Sequence, residues 1–114
     1  MRGPIPVTSP LVSTALPAFE NELTRLLLAE GHKHLVDQVA KLRIVDRCRC
    51  GDSFCATFYT APLPKEAWGP DHQTIPLDGV SSGMVNLDLN HGSIVCIEVL
   101  YRDDVRDALR AAIP

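Results

Sequence analysis

Three of the four cysteines in this 114-residue chain fall within eight residues, as Cys48-x-Cys50-x4-Cys55 around Gly51-Asp52-Ser53. Thiolates are soft ligands, and three in one turn make a candidate metal set. Zinc wants a fourth ligand, for which His72, Asp52 or a residue of a partner are the candidates. The spacing is a single C-x-C with no second knuckle, short of the paired C-x2-C pattern of structural zinc sites. A reactive thiol is the other chemistry on offer, because Cys55 beside Arg47 and Arg49 would ionise more readily. Nucleophilic catalysis also needs a base within hydrogen-bond reach, and the spacing of His32, His34, His72 and His91 assigns none of them to that role.

Whether the three thiols meet depends on strand register. Read as one strand, Leu42, Ile44, Asp46, Cys48 and Cys50 share a face, and Lys41, Arg43, Val45, Arg47 and Arg49 share the other. A three-residue loop, Gly51 to Ser53, sets Cys50 opposite Phe54, Cys48 opposite Ala56 and Asp46 opposite Phe58. A four-residue loop, Gly51 to Phe54, pairs Cys50 with Cys55 instead. The first places Phe54 and Phe58 on the face of Ile44 and sends Cys55 to the arginine side; the second gathers the thiols and turns both rings toward the arginines. Burial of two aromatic rings decides for the three-residue loop. The cysteines are then expected to be idle or core-packed thiols, with metal ligation by Cys48, Cys50 and Cys55 as the rival.

The other polar motifs have structural explanations. Ser81-Ser82-Gly83 lacks the setting of a nucleophile elbow and reads as a turn. Asp103 and Asp104 suit the start of a helix, where the dipole favours negative charge. His91 occupies a turn, and no glycine-rich phosphate loop occurs. Lys41, Arg43, Arg47 and Arg49 form a basic ribbon, but the chain carries a net charge of −3, so nucleic acid is not the expected partner. Trp68, the only tryptophan, lies in the proline-rich stretch 61–73, a connection long enough to serve as an interface. Trp68, Arg43, Arg47 and Arg49 are the candidate interaction residues.

The elements that must position these residues follow from periodicity. Residues 1–13 hold three prolines and read as an irregular arm. Ser13 or Thr14 caps a helix through Phe19, Leu23, Leu26 and Leu27 that stops at Gly31. Leu35, Val36 and Val39 continue a shorter helix into the basic strand. Gln73 to Leu77, interrupted by Pro76, is an edge strand or the end of one. Val85, Leu87 and Leu89, then Val95, Ile97 and Val99, alternate with polar neighbours around Asn90-His91-Gly92 and form a hairpin. Asp103 caps a last helix striped by Val105, Leu109, Ala112 and Ile113. This closing hairpin and helix resemble, in their alternation alone, small bacterial proteins of unknown function, a likeness that implies no activity.

The expected class is a single α+β domain over 1–114. It has an antiparallel sheet of four to five strands, two N-terminal helices and one C-terminal helix. Hydrophobic residues at 46% and charged residues at 22% are globular proportions. No apolar run approaches the ~18 residues of a membrane span, and no signal segment is read, so a cytoplasmic protein with free thiols is expected. Ile94, Cys96, Glu98 and Leu100 fall on the face opposite Val95, Ile97 and Val99, and Thr57 and Tyr59 on the far side of their own strand; apolar positions on both sides of the sheet imply a further covering layer, most simply a second copy. The preferred functional reading is a non-enzymatic interaction module that self-associates as a homodimer, without a cofactor. The rivals are a zinc-stabilised or thiol-dependent protein using Cys48, Cys50 and Cys55, and nucleic-acid binding through Lys41 to Arg49.

Overall fold

The computed structural model describes residues 9–62 and 69–114. In chain order the elements are α1 (Val12–Ala15), α2 (Pro17–Ala29), a 3-10 turn (Lys33–Leu35), α3 (Val36–Val39), β1 (Asp46–Arg47), β2 (Phe58–Tyr59), β3 (His72–Pro76), β4 (Met84–Asn90), β5 (Ser93–Leu100) and α4 (Asp103–Ala112). The strands form one antiparallel sheet in the order β1-β2-β5-β4-β3. The architecture is α+β, with helices grouped toward the two ends of the chain.

The β4–β5 hairpin is the framework, and its alternation is the reason. His91 and Gly92 connect the strands with φ of 52° and 79°, the two positive angles that a type I′ turn requires. Phe58, Ile97, Leu87 and Ile75 lie side by side across four strands, and Tyr59, Cys96, Asp88 and Thr74 lie side by side on the opposite face. The first row is the core: Phe58, Ile97 and Leu87 are fully buried beneath Phe19, Leu23, Leu26 and Leu27 of α2. Phe19 meets Phe58 edge to face at 6.2 Å between centroids, a favoured aromatic arrangement. A register shift at Asp88/Leu89 makes a bulge, and Val95 and Cys96 pack with Tyr59 and Ala61 in a small second cluster. β3 is an edge strand, consistent with Pro76, which has no N–H for a ladder.

The helices depart from expectation in two places. Instead of one helix starting at Ser13 or Thr14, there are two, broken at Leu16 (φ −133°, ψ 61°), because a residue preceding proline is driven out of helical geometry. Fully buried Val12 and its neighbour Ser13 therefore belong to α1 rather than to an irregular arm over 1–13; residues 1–8 of that arm lie outside the described residues. The N-cap of α4 is Arg102, not Asp103. Arg102 is only 7% exposed, and its guanidinium grips Glu22 of α2 at 2.9 and 2.8 Å and Asp104 at 3.0 Å twice. Its hydrogen bonds to the Glu22 and Asp104 carboxylates hold its pKa well above the usual arginine range, and Asp104 is correspondingly held below the usual carboxylate range by Arg102. This fork locks α4 to α2. No helix among the described residues is long and apolar enough to cross a membrane.

Candidate metal centre

The expected three-residue loop is not the one formed. β1 pairs with β2 as Asp46↔Tyr59 and Arg47↔Phe58, and the Cys48 N–H donates to the Thr57 carbonyl at 2.8 Å. Extended past Cys48, that register sets Cys50 opposite Cys55 and leaves Gly51 to Phe54 between them, the spacing of the four-residue loop. Phe58 is buried as expected, but Phe54 is 41% exposed and stacks on Tyr101 at 5.3 Å. The error lay in assuming unbroken alternation from Lys41 to Cys50. Only Asp46–Arg47 is strand. Ahead of it, the Ile44 N–H donates to the Pro10 carbonyl at 2.8 Å, and Leu11 bridges Arg43. These contacts bury Ile44 out of phase with Arg47. The arginine side of β1 is thereby the helix-covered side, and the thiols share the other.

The sulfur atoms of Cys48, Cys50 and Cys55 all lie within 4.8 Å of one another. Cys48 and Cys55 are half-buried and Cys50 is exposed. Cys55 is fixed by an isolated bridge to Leu100, next to the Tyr101 N–H donating to the Phe54 carbonyl at 2.8 Å. Two arginines of α4 hold the loop itself: Arg106 donates to the Ser53 carbonyl at 2.8 Å and Arg110 to the Asp52 carbonyl at 3.1 Å. Gly51 enters the loop at φ 83°, an angle glycine reaches without steric cost.

Proton affinities differ between Cys55 and Cys50. Burial raises the Cys55 pKa, but the Thr57 backbone N–H and hydroxyl and then the Cys50 and Cys48 thiols outweigh it, and the net shift is downward. The Thr57 hydroxyl is itself fixed on β5, accepting the Val99 N–H at 3.0 Å and donating to the Val99 carbonyl at 3.4 Å. For Cys50 the Asp52 backbone N–H pulls downward, yet donation to Cys48 and Cys55, with desolvation, carries it up to about 11. Cys55 therefore ionises more readily than Cys50, and any thiol that ligates a cation must release its proton.

Cys48 also borders a concavity of about 470 Å³ over the helix-free face of the sheet, lined by Thr57, Tyr59, Asp88, Cys96, Glu98 and Leu100. Asp88 is buried and accepts from Thr74 at 2.8 Å, with His72 Nε2 at 3.1 Å. Desolvation raises the Glu98 carboxyl despite a hydrogen bond from Asn86. Burial and then the Asp88 and Glu98 charges push the Cys96 thiol far up, and Cys96 lies outside the three-cysteine group. Tyr59 is raised to about 12 by burial first and Cys48 second.

Of the residues expected to matter, Cys48, Cys50 and Cys55 are brought together, although the preferred loop had separated them. His72 and Asp52 are not among the group: the three cysteines are the only set of three or more such residues among those described whose ligand atoms all lie within 4.8 Å of one another. The three arginines of the basic ribbon also make internal ties. Arg43 donates to the Ser9 carbonyl at 2.7 Å, Arg47 to the Ile113 carbonyl at 2.7 Å, and Arg49 pairs with Asp46 at 2.9 Å. Trp68 lies outside the described residues. Sequence reasoning placed Thr57, Tyr59, Cys96 and Glu98 on the second face but missed Asp88, whose only signal was an acid at an alternating position of a half-buried strand. No protein-family model, no curated protein and no solved structure matches the chain.

Proposed function

We propose that this chain is a metal-binding protein in which Cys48, Cys50 and Cys55 hold one thiophilic ion in reversible exchange. The supporting observation is the convergence of three sulfurs within 4.8 Å of one another, brought about by a non-local register rather than by sequence proximity alone. Sulfurs bound at about 2.3 Å stand roughly 3.8 Å apart around a tetrahedral ion, so the trio needs to contract by about 1 Å at most. The ion is cargo or signal rather than a structural staple. The core contains twenty buried apolar side chains among the described residues, from Val12 to Leu109, whereas the thiols sit at the sheet margin with Cys50 exposed. The role is binding rather than catalysis, and four free thiols suit a reducing compartment such as the cytoplasm. Elemental analysis of the reduced protein after metal loading and desalting tests the reading. About one ion per chain is expected, absent from C48S/C50S/C55S; equal loading of both proteins would refute it.

An interaction role, with self-association as its simplest form, has a separate observation in its favour. Met84, Phe54 and Tyr101 are 47%, 41% and 64% exposed near one end of the sheet, more apolar surface than a wholly solvated edge calls for. A homodimer covering it would scatter light as about twice 12.5 kDa, and a constant monomer mass at all concentrations would remove this reading.

A further inference from the structure

We infer that the Cys48–Cys50–Cys55 set takes an ion that is complete with three thiolates, cuprous copper or trivalent arsenic, in preference to tetrahedral zinc. The inference rests on the metal-binding reading and specifies its ligand class.

Ligand count is the first ground. No other His, Cys, Asp or Glu atom among the described residues joins the group. Asp46 binds Arg49 at 2.9 Å, and Asp88 binds Thr74 and His72. Structural zinc closes its tetrahedron with four protein ligands, and open zinc sites ordinarily include histidine. Three thiolates around Zn²⁺ leave a net charge of −1 and weaken the Lewis acidity for which an open site is used.

Ligand chemistry is the second ground. All three donors are sulfur, and soft thiolates select soft ions. Three sulfurs at about 2.3 Å in a plane around cuprous copper are roughly 4.0 Å apart, and around pyramidal arsenic somewhat closer, spacings within reach of this trio as the tetrahedral one is. With distance neutral between the two geometries, the number and softness of the donors decide. Exposure is the third ground: Cys50, on the loop beside Gly51, lets an ion or a small hydroxo species reach the thiols directly.

The binding steps balance without a redox partner. Arsenous acid and three thiols give one As(S-Cys)3 unit and three waters: each As–O bond is replaced by an As–S bond, and each thiol proton leaves on the departing hydroxide. Cuprous ion displaces three thiol protons to solvent and forms three Cu–S bonds, copper staying Cu(I) throughout.

The reduced full chain is titrated separately with arsenite, with Cu(I) held by a competing chelator, and with Zn²⁺. Bound samples are then read by X-ray absorption for the number and type of neighbours. Arsenite, Cu(I) or both are expected at one per chain with three sulfurs and no oxygen, retained against equimolar zinc; the two arms identify which ion is the better fit. Each single Cys→Ser change at positions 48, 50 and 55 should weaken binding beyond the roughly 10- to 100-fold loss that removal of a supporting contact produces. Zinc that displaces both ions, or a fourth neighbour on Cu(I) or arsenic, would overturn the three-coordinate inference while leaving a metal site. Failure of all three ions to bind would instead overturn the metal reading itself.

Discussion

Removing the thiols should leave the fold standing, whereas removing one ring from the core should not. Phe58 is fully buried and packs edge to face on Phe19, so Phe58→Ala is expected to cost about 3 to 5 kcal/mol in lost transfer energy and cavity. At roughly 2.1 cal/mol/K per residue, a 114-residue domain unfolds with an entropy near 0.24 kcal/mol/K. The expected fall in melting temperature is therefore about 12 to 21 °C. C48S/C50S/C55S replaces atoms at the sheet margin, one of them exposed and one already hydrogen-bonded to Thr57. Its expected cost is about 1 kcal/mol, or roughly 4 °C. Differential scanning calorimetry of the metal-free proteins, under reducing conditions with chelator present, reads both. A triple-serine variant that melts lower than Phe58→Ala, or fails to fold, would refute the view that the core rather than the thiol cluster carries stability.

Arg102→Ala should destabilise by about 3 to 5 kcal/mol, because it leaves half-buried Glu22 without its cation, and Arg102→Lys should recover only part; urea denaturation at neutral pH measures both. Apparent metal affinity should rise with pH by at least about tenfold per unit between pH 6 and 9, since the Cys50 thiol, raised to about 11, must lose its proton to ligate; competition titrations that are flat with pH would contradict this. Arg110→Ala, which frees the Asp52 carbonyl, should weaken metal binding by about tenfold while barely moving the melting temperature.

Periodic elements were readable from the chain because local pattern and tertiary demand agree. The alternation in 84–100, the His91-Gly92 turn, the Gly31 stop and the Pro76 edge each survive unchanged. The second-face positions of Cys96, Glu98, Tyr59 and Thr57 were also readable, since period-two spacing carries them. Register between β1 and β2 was not. It turns on Ile44, which is buried through a backbone bond to Pro10 and a bridge at Leu11, residues more than thirty positions away. A one-residue phase change there reverses which side of the strand is core and brings Cys55 to Cys48 and Cys50. The break at Leu16 was masked by an apolar stripe that runs through it, and the Arg102 cap by an adjacent Asp103 with better intrinsic capping chemistry. Long-range arginine ties from 43, 47 and 49 to distant carbonyls have no local signature, so the same charges read as an open basic ribbon.

Thiol footprinting tests the metal centre most directly. The reduced protein is exposed to an alkylating reagent with and without one equivalent of a thiophilic ion, and modification is located by mass spectrometry. Joint protection of Cys48, Cys50 and Cys55 at one equivalent is predicted, with buried Cys96 unreactive in both samples until the protein is unfolded. Protection of only two of the three, protection that needs several equivalents, or unchanged alkylation of all three would contradict a shared site.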